Sequence, residues 1–170
     1  MTLLDGLTLR RATVGDAPRL QRIVADAGRA MAEQGFNNWL SPDATERFVE
    51  DIETREVYVV SNSGFAVATF TLGATPRRPY SPEPWRDPRG PALYLNRLAV
   101  DPALQSGGIG GWCLGQIERL ARERATRAIR CDVLTANARL CRLYERFGYE
   151  PRGERSHSGW GFTCYERLIG

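Results

Sequence analysis

A run of six residues in the second half of the chain could bind an anion through its backbone. Ser106-Gly107-Gly108-Ile109-Gly110-Gly111 contains four glycines, too many for the middle of a strand or a helix. Apolar residues then recur at helical spacing and predict a helix of roughly 15 residues that begins in this run: Ile109, Cys113, Ile117 and Leu120. Backbone N–H groups at a helix N-terminus favour an anion by about 0.3 to 1 kcal/mol, and glycines let them surround a phosphate. The alternative is a flexible turn without a ligand.

Three known phosphate-binding motifs are possible interpretations of this run. A P-loop requires Gly-Lys followed by Ser or Thr, and the sequence contains no lysine. The dinucleotide motif G-x-G-x-x-G fits only in parts, and the run lies more than halfway along the chain. The pattern Q/R-x-x-G-x-G/A is complete, with Gln105, Gly108 and Gly110. The third motif is therefore favoured.

This third motif resembles the pyrophosphate-binding sequence of the GNAT superfamily of acetyl-CoA-dependent N-acetyltransferases. The similarity extends to LAVDP before the loop and, after it, to N-x-x-x-x-x-x-Y, formed by Asn137 and Tyr144 and followed by E-x-x-G-Y/F. It covers the chain from the first predicted hairpin to the C-terminus, whereas residues 1–56 match the family only in outline.

The resemblance implies an α/β (α+β) fold with three layers, in which about four helices cover a mixed central sheet of about six to seven strands. The first strands would be antiparallel and the central pair parallel. A single acyl-CoA N-acyltransferase domain would then occupy residues 1–170.

The resemblance also implies that an amine attacks the thioester of bound acetyl-CoA directly, with no covalent enzyme intermediate and no metal. The backbone of Leu98, Ala99 and Val100 would pair with the pantetheine arm and polarise the acetyl carbonyl, and Asn137 would bond the same arm. Backbone N–H groups would hold the pyrophosphate of coenzyme A at Gln105, Ser106, Gly107, Gly108, Ile109, Gly110 and Gly111.

Tyr144 has two interpretations. Its spacing on the helix predicted after Asn137 favours a core residue with its hydroxyl at the edge. The resemblance instead places the tyrosine opposite the cofactor sulfur, where it would protonate the departing CoA thiolate. Because a thiol has an ordinary pKa of about 8.5 and a tyrosine of about 10, this proton transfer would be slightly uphill and would assist the reaction.

The general base departs from the family pattern. Many members place a glutamate on the central strand, where this sequence offers Tyr94 and Asn96, neither of which is a base at neutral pH. A water relay to Glu33 and the lone histidine, His157, are the alternatives, although a lone histidine in a turn is more often solvated. An acceptor amine of low pKa would need no strong base.

Two other functions stay open at this point. A CoA-binding module without transferase activity would tolerate the missing glutamate, and a nucleotide-binding protein would bind ATP in competition with CoA. The acceptor is equally open, either an amine-bearing small molecule or a peptide. Candidate wall residues of the acceptor site do not select between them: Asn37, Asn38, Trp39, Trp85 and Trp160.

Composition excludes several classes of protein. The chain has 170 residues, 42% of them hydrophobic, which predicts one globular domain with a full core. It shows no apolar run of membrane-spanning length and no signal peptide, so a soluble, cytoplasmic protein is expected, with neither membrane nor nucleic-acid binding. Its arginines are scattered among glutamates at a net charge of +3. A homodimer is an expectation from the family.

The four cysteines, Cys113, Cys131, Cys141 and Cys164, contain no C-x-x-C pair. At least the first three fall where core-facing positions are expected, so buried reduced thiols are predicted rather than a disulfide or a metal site.

Several elements must position these residues. Thr13 or Asp16 should cap a first helix that runs to Gly35, and Ser41, with Pro42 following, should cap a second. The strands are predicted from alternation and turn signals at residues 7–12, 57–61, 65–72, 93–100, 128–134, 150–156 and 161–168. The strand-helix-strand unit around the glycines should make two parallel strands, with the glycine run and Asn137 at their C-terminal rim.

Residues 73–91 contain six prolines and form the longest predicted connection. A loop of this length is usually functional or disordered. Trp85 offers it an apolar anchor, and the segment is interpreted as a semi-rigid lid over the acceptor site, with a plain connecting arm as the alternative. A bulge is expected near the end of the strand that follows.

Overall fold

The computed structural model of the chain describes residues 1–40 and 44–170. These residues form four α-helices and seven β-strands. In chain order they are β1 (Leu7–Arg11), α1 (Ala17–Glu33), α2 (Thr45–Thr54), β2 (Glu56–Asn62), β3 (Phe65–Gly73), β4 (Ala92–Val100), α3 (Ile109–Glu123), β5 (Ala128–Leu134), α4 (Ala138–Arg146), β6 (Glu150–His157) and β7 (Trp160–Leu168).

The strands build one seven-stranded mixed sheet in the order β1-β2-β3-β4-β5-β7-β6. Strands β4 and β5 pair in parallel, with Tyr94 opposite Arg130. The pairs β1–β2, β2–β3, β5–β7 and β6–β7 are antiparallel. The predicted fold class, with antiparallel first strands and a parallel central pair, is confirmed.

The chain divides into two compact units. The first unit comprises Met1–Leu72 and Asn96–Cys113, and the second unit comprises Gly73–Leu95 and Leu114–Gly170. Both β4 and α3 contribute residues to each unit. The organisation of residues 1–170 as a single domain stays a prediction.

The first unit has a core of aliphatic residues from α1. The predicted apolar stripe is buried at Leu20, Ile23, Val24 and Ala27, and these residues pack against one another with Phe48 of α2 and Ala99 of β4. The helix begins at Ala17 with Pro18 in its first turn, where the missing N–H of proline has no intrahelical partner to lose. The predicted first helix is therefore confirmed.

Both hairpins turn through two residues with positive φ. Ser63 and Gly64 have φ of 51° and 84°, and Ser158 and Gly159 have φ of 50° and 81°. This geometry matches the right-handed twist of the flanking strands, and both predicted hairpins are confirmed. The predicted cap of the second helix, Ser41 with Pro42, lies outside the described residues.

In the second unit, the proline-rich segment is anchored by buried aromatic rings. Trp85 is only 4% exposed and meets Tyr80 edge-on, with ring centroids 4.7 Å apart. Both side chains pack with Ala92, Tyr94, Ala128 and Cys164. The predicted role of Trp85 as the apolar anchor of this segment is confirmed, and its enclosed indole does not line an open acceptor site. The interpretation of the segment as a lid stays a prediction.

All four cysteines are free thiols, as predicted. Cys113, Cys131 and Cys164 are buried, whereas Cys141 is only half-buried, so the prediction of a fully core-facing Cys141 was wrong. Helix α4, which carries Cys141, has Tyr144 as its buried residue. Among the described helices, none has both the length and the apolar character needed to cross a membrane.

Candidate active site

The glycine loop, residues 105–111, lies in the first unit and opens helix α3. Ser106 and Gly108 have φ of 70° and 86°, so the loop passes twice through the left-handed region just before the helix. The Trp112 N–H donates to the Gly108 carbonyl at 2.9 Å. The N–H groups of Ile109, Gly110 and Gly111 precede this bond and have no carbonyl four residues earlier within the helix. The helix observed, Ile109–Glu123, has the 15 residues predicted.

Space beside the loop is limited at Gly107. A Cβ atom there would lie 2.9 Å from Leu3 Cδ2 and 3.2 Å from the Leu104 carbonyl oxygen. The loop is held from within by the Gly107 N–H, which donates to that Leu104 carbonyl at 3.3 Å. Glycine is therefore favoured at position 107 by close packing and at position 108 by backbone conformation.

Strand β4 changes its backbone conformation before the predicted pantetheine-binding residues. Arg97 has φ of 49°, a left-handed value inside an extended strand, and this is the irregularity that the sequence predicts near the strand's end. Leu98, Ala99 and Val100 follow it. The Gln105 side chain reaches back from the glycine loop, with its Nε2 donating to the Val100 carbonyl at 3.4 Å.

Arg97 is fixed by helix α2. Its Nη1 donates to Asp51 Oδ2 at 2.5 Å, and its guanidinium lies 4.5 Å from the ring centroid of Phe48. A left-handed residue that is not glycine is strained and persists only where its surroundings hold it. The ion pair with Asp51 and the contact with the Phe48 ring hold Arg97 in this conformation.

Asn137 and Tyr144 belong to the second unit. Asn137 is buried and caps α4 as predicted, because its Oδ1 accepts from the Leu140 N–H at 3.2 Å. Tyr144 is 6% exposed and packs in a trio of tyrosines, edge-on to Tyr149 at 5.3 Å and stacked on Tyr165 at 6.1 Å between ring centroids. Its ring is a core ring, as its spacing predicts.

The predicted site residues are thus divided between the units. Leu98 to Val100 and the glycine loop lie in the first unit, and Asn137 and Tyr144 lie in the second. A family model described as Acetyltransferase (GNAT) family matches residues 25–149, which is well over half of the chain and includes all of these positions. The chain belongs to the GNAT family of acetyltransferases.

Solved structures of other GNAT proteins share the fold. An acetyltransferase of the GNAT family from Listeria monocytogenes is 22% identical, with a TM-score of 0.79 and coverage of 96% of this chain and 95% of that one. The ribosomal-protein-S18-alanine N-acetyltransferase from Escherichia coli is 18% identical, with a TM-score of 0.73 and coverage of 96% and 94%. A GNAT family acetyltransferase from Elizabethkingia anophelis with acetyl-CoA bound is 13% identical, with a TM-score of 0.67 and coverage of 97% and 99%.

At these identities the likeness establishes the fold alone. A search among curated proteins gave no match to the chain. Residue roles in this GNAT protein therefore rest on its own sequence and geometry.

The candidate bases of this GNAT protein stand in different environments. Glu33 ends α1 and is exposed. His157 ends β6, and its Nε2 lies 2.9 Å from the Ser158 hydroxyl at the hairpin tip. Tyr94 is buried, and its hydroxyl oxygen accepts from Arg130 Nη1 at 3.0 Å.

A buried ionic network in the second unit was not predicted. Arg130 Nε donates to Glu166 Oε2 at 3.0 Å, and its Nη2 donates to the Asp87 carbonyl at 2.7 Å. The guanidinium lies 5.1 Å from the Trp85 ring centroid. One signal was available, since two charged residues, Arg130 and Asp132, interrupt an otherwise apolar strand, AIRCDVL. The network joins β5 and β7 to the proline-rich segment.

Two amide oxygens of the first unit stand out by lacking partners. Asn38 Oδ1 and Asn96 Oδ1 are both buried and accept no hydrogen bond from any residue that the structure describes. Asn38 follows α1, in the connection predicted as an acceptor-side wall, and Trp39 beside it packs against the α1 core. Within the described ranges, no group of three or more His, Cys, Asp or Glu side chains could hold a metal ion.

Proposed function

We propose that this GNAT protein is an N-acetyltransferase that moves the acetyl group of acetyl-CoA directly to an amine, within a single domain of residues 1–170. The observation that carries the proposal is the glycine loop at the N-terminus of α3 in a chain of this family. Its first-turn N–H groups and the positive end of the helix dipole suit a pyrophosphate. The acetyl-CoA bound to the Elizabethkingia anophelis relative supports the same choice of donor.

The loop binds through its backbone. The N–H groups of residues 106 and 108–111 surround the diphosphate, whereas those of Gln105 and Gly107 already donate to the Pro102 and Leu104 carbonyls and hold the loop in shape. The left-handed backbone at Gly108 disfavours any residue with a side chain. Because these donors belong to the main chain, they are fixed before the ligand arrives, and little conformational entropy is lost on binding.

The pantetheine arm is held by main-chain and amide groups. Backbone groups of Leu98, Ala99 and Val100 pair with its amides and polarise the acetyl carbonyl. Asn137 uses its oxygen to cap α4, so its NH₂ is the group that donates to a pantetheine carbonyl. Because the Asn137 oxygen is fixed by this hydrogen bond, the whole side-chain amide is held in one orientation.

Tyr144 donates a proton to the CoA sulfur as the C–S bond breaks. The support is its place in the family motif together with the packing of its ring between two other tyrosines, which restricts its rotation. A held phenol is a better placed general acid than a mobile one. No cysteine takes part, because the amine attacks the thioester itself.

The acceptor is an amine on a small molecule or a peptide. One structural relative is a ribosomal-protein-S18-alanine N-acetyltransferase, so a peptide amine is among the acceptors to test. A family member that bound acyl-CoA without turning it over would serve as a sensor instead.

Calorimetry with acetyl-CoA and release of free thiol in the presence of amines test the proposal. We expect micromolar to millimolar binding of acetyl-CoA, with a Kd that ATP does not raise, and thiol release with at least one class of amine. Binding without release across peptides, polyamines and small amines would identify a sensor. An absence of binding at millimolar acetyl-CoA would refute the proposed activity.

A further inference from the structure

The side chain of Asn96 carries an unused hydrogen-bond acceptor in the middle of the central strand. Its Oδ1 is buried and has no partner among the described residues. A buried acceptor without a partner destabilises the folded protein, and such groups are few in native proteins. A ligand that donates to this oxygen would remove this destabilisation.

The strand around Asn96 is held in place by its neighbour. Arg97 is left-handed and fixed by Asp51 and Phe48 of α2. Ala99 packs into the same α1–α2 core as Phe48. Arg97 and Ala99 therefore face those helices, and the left-handed Arg97 interrupts the regular alternation of the strand between Asn96 and Leu98.

The other residue considered in place of the missing glutamate is already engaged. The Tyr94 hydroxyl accepts from buried Arg130, whereas the Asn96 oxygen accepts from no described residue. Asn96 also lies two residues from Leu98, the first of the backbone positions proposed to hold the thioester end of pantetheine. An acceptor amine that approached the thioester would meet this oxygen.

We infer that Asn96 Oδ1 accepts a hydrogen bond from the amino group of the acceptor and orients it for attack, an inference that rests on the proposed function. The amine nitrogen forms a bond to the acetyl carbon, the C–S bond breaks, and its electron pair leaves on the CoA sulfur. The sulfur takes up one proton, and the nitrogen releases one to water. An amide oxygen orients the amine but does not take this proton.

The acceptor must therefore arrive as a neutral amine. The substrate class that follows is amines whose unprotonated form is populated at the working pH, such as peptide N-termini, with an ordinary pKa of about 7.7 to 8.0, rather than lysine-like amines of about 10.4. For every accepted amine, kcat/KM of the wild type should rise with pH up to the pKa of that amine.

The test compares Asn96→Leu and Asn96→Asp with a control, Thr69→Val. Thr69 is buried on β3, and its hydroxyl donates to the Tyr58 carbonyl at 2.9 Å, so it is a buried polar group that already has a partner. The probes are hydrazine, methylamine, spermidine and an alanine-terminated tripeptide. Readouts are kcat/KM by thiol release from pH 6 to 10, Kd for acetyl-CoA and Tm.

Asn96→Leu should lower kcat/KM for the amine about 10-fold to 100-fold, with an unchanged Kd for acetyl-CoA and an equal or higher Tm. Asn96→Asp should remain active and shift the pH profile to lower pH, because a carboxylate binds the protonated amine and can accept its proton. Thr69→Val should show the reverse of Asn96→Leu, with a Tm lower by about 2 to 4 °C and unchanged kinetics.

Three results would overturn the inference. The first is an Asn96→Leu protein with the wild-type kcat/KM. The second is an Asn96→Leu protein whose lower kcat/KM is accompanied by weaker acetyl-CoA binding or a lower Tm. The third is an Asn96→Asp protein whose pH profile of kcat/KM is the same as that of the wild type. A wild type that binds acetyl-CoA but releases thiol with no probe, or one that does not bind acetyl-CoA, would instead refute the proposed function itself.

Discussion

Arg130 and Glu166 form an ion pair inside the second unit, with side chains 2% and 1% exposed and 3.0 Å between Arg130 Nε and Glu166 Oε2. The second carboxylate oxygen accepts from Arg152 Nε at 3.1 Å and from the Arg86 N–H at 3.2 Å. All three guanidinium nitrogens of Arg130 and both carboxylate oxygens of Glu166 thus make hydrogen bonds. Such a pair is expensive to break, because either charge left alone is buried without compensation.

Glu166→Gln should therefore lower the free energy of unfolding by about 3 to 5 kcal/mol. Urea unfolding followed by circular dichroism measures the change. Glu123→Gln is the matched control, because Glu123 pairs with Arg119 on the surface, with side chains 55% and 49% exposed, and should cost about 1 kcal/mol or less. Equal effects of the two substitutions would contradict a structural role for the buried pair.

Gly108→Ala should weaken acetyl-CoA binding at least about tenfold, since a left-handed alanine strains the loop by about 1 to 2 kcal/mol and displaces its N–H groups. Calorimetry gives the Kd. The control is Gly115→Ala. Gly115 lies inside α3, the helix that follows the loop, where an added Cβ atom would have no neighbour within 4 Å. This control should leave the Kd unchanged and raise stability by about 0.5 to 1 kcal/mol. A Gly108→Ala protein with wild-type affinity would argue against the loop as the pyrophosphate site.

Tyr144→Phe should retain acetyl-CoA binding and lose turnover, at the lower end of the 10² to 10⁴-fold range, about 100-fold, typical of a general acid. Steady-state thiol release measures kcat. Tyr149→Phe removes a buried hydroxyl that has no described partner, so this control should keep kcat and an equal or higher Tm. An unchanged kcat in Tyr144→Phe would leave its ring as a packing group only.

Asp16 should make stability depend on pH at the start of α1. The Arg10 guanidinium bonds this carboxylate and holds its pKa at about 2, below the ordinary value of about 3.9. Because the pKa is lowered in the folded protein, the stabilisation is present above pH 4 and is lost as the pH falls through about 2.

Urea unfolding of the wild type and Asp16→Asn between pH 7 and 2 measures this effect. We expect a difference of about 1 kcal/mol at neutral pH, reduced by solvent screening because Arg10 is half-exposed, that shrinks below pH 4. A difference that stays constant down to pH 2 would show that the charge of Asp16 is not responsible.

The thiols should react in the order of their exposure. Burial raises the pKa of Cys113 to about 12 and that of Cys164 to about 11, so both stay protonated and inert at pH 8. Cys141 is half-buried and should be alkylated first by iodoacetamide, as measured by mass spectrometry of digested protein. In denaturant all four should react. Rapid native alkylation of Cys113 would contradict its burial.

Local sequence predicted what local geometry controls. Asn62-Ser63-Gly64 and Ser158-Gly159 predict their hairpins because a two-residue turn needs residues that tolerate positive φ. The extent of α3 followed from apolar spacing after the glycines. The parallel pairing of β4 and β5 followed from the handedness and length of the strand-helix-strand unit.

Contacts between residues that are far apart in the chain could not be predicted from the sequence. Trp85 was predicted as an apolar anchor, but the sequence did not show that its ring would pack against Arg130, which lies 45 positions later in the numbering. Cys141 was expected in the core, because helical spacing gives a face but not how deeply that face is covered. The sequence also did not predict the partners of Arg97 on α2 or the Asn96 oxygen without a described partner.

The sequence by itself determined the family, the order of elements and the position of the glycine loop before α3, because glycine positions and hydrophobic spacing act over a few residues. Only the tertiary structure decided which polar groups have hydrogen-bond partners and which have none among the described residues. Arg130 is neutralised by Glu166 and Tyr94 is occupied by Arg130, while Asn96 keeps an acceptor without a described partner. Burial makes that difference, since a polar group without a partner has a consequence only where water cannot reach it.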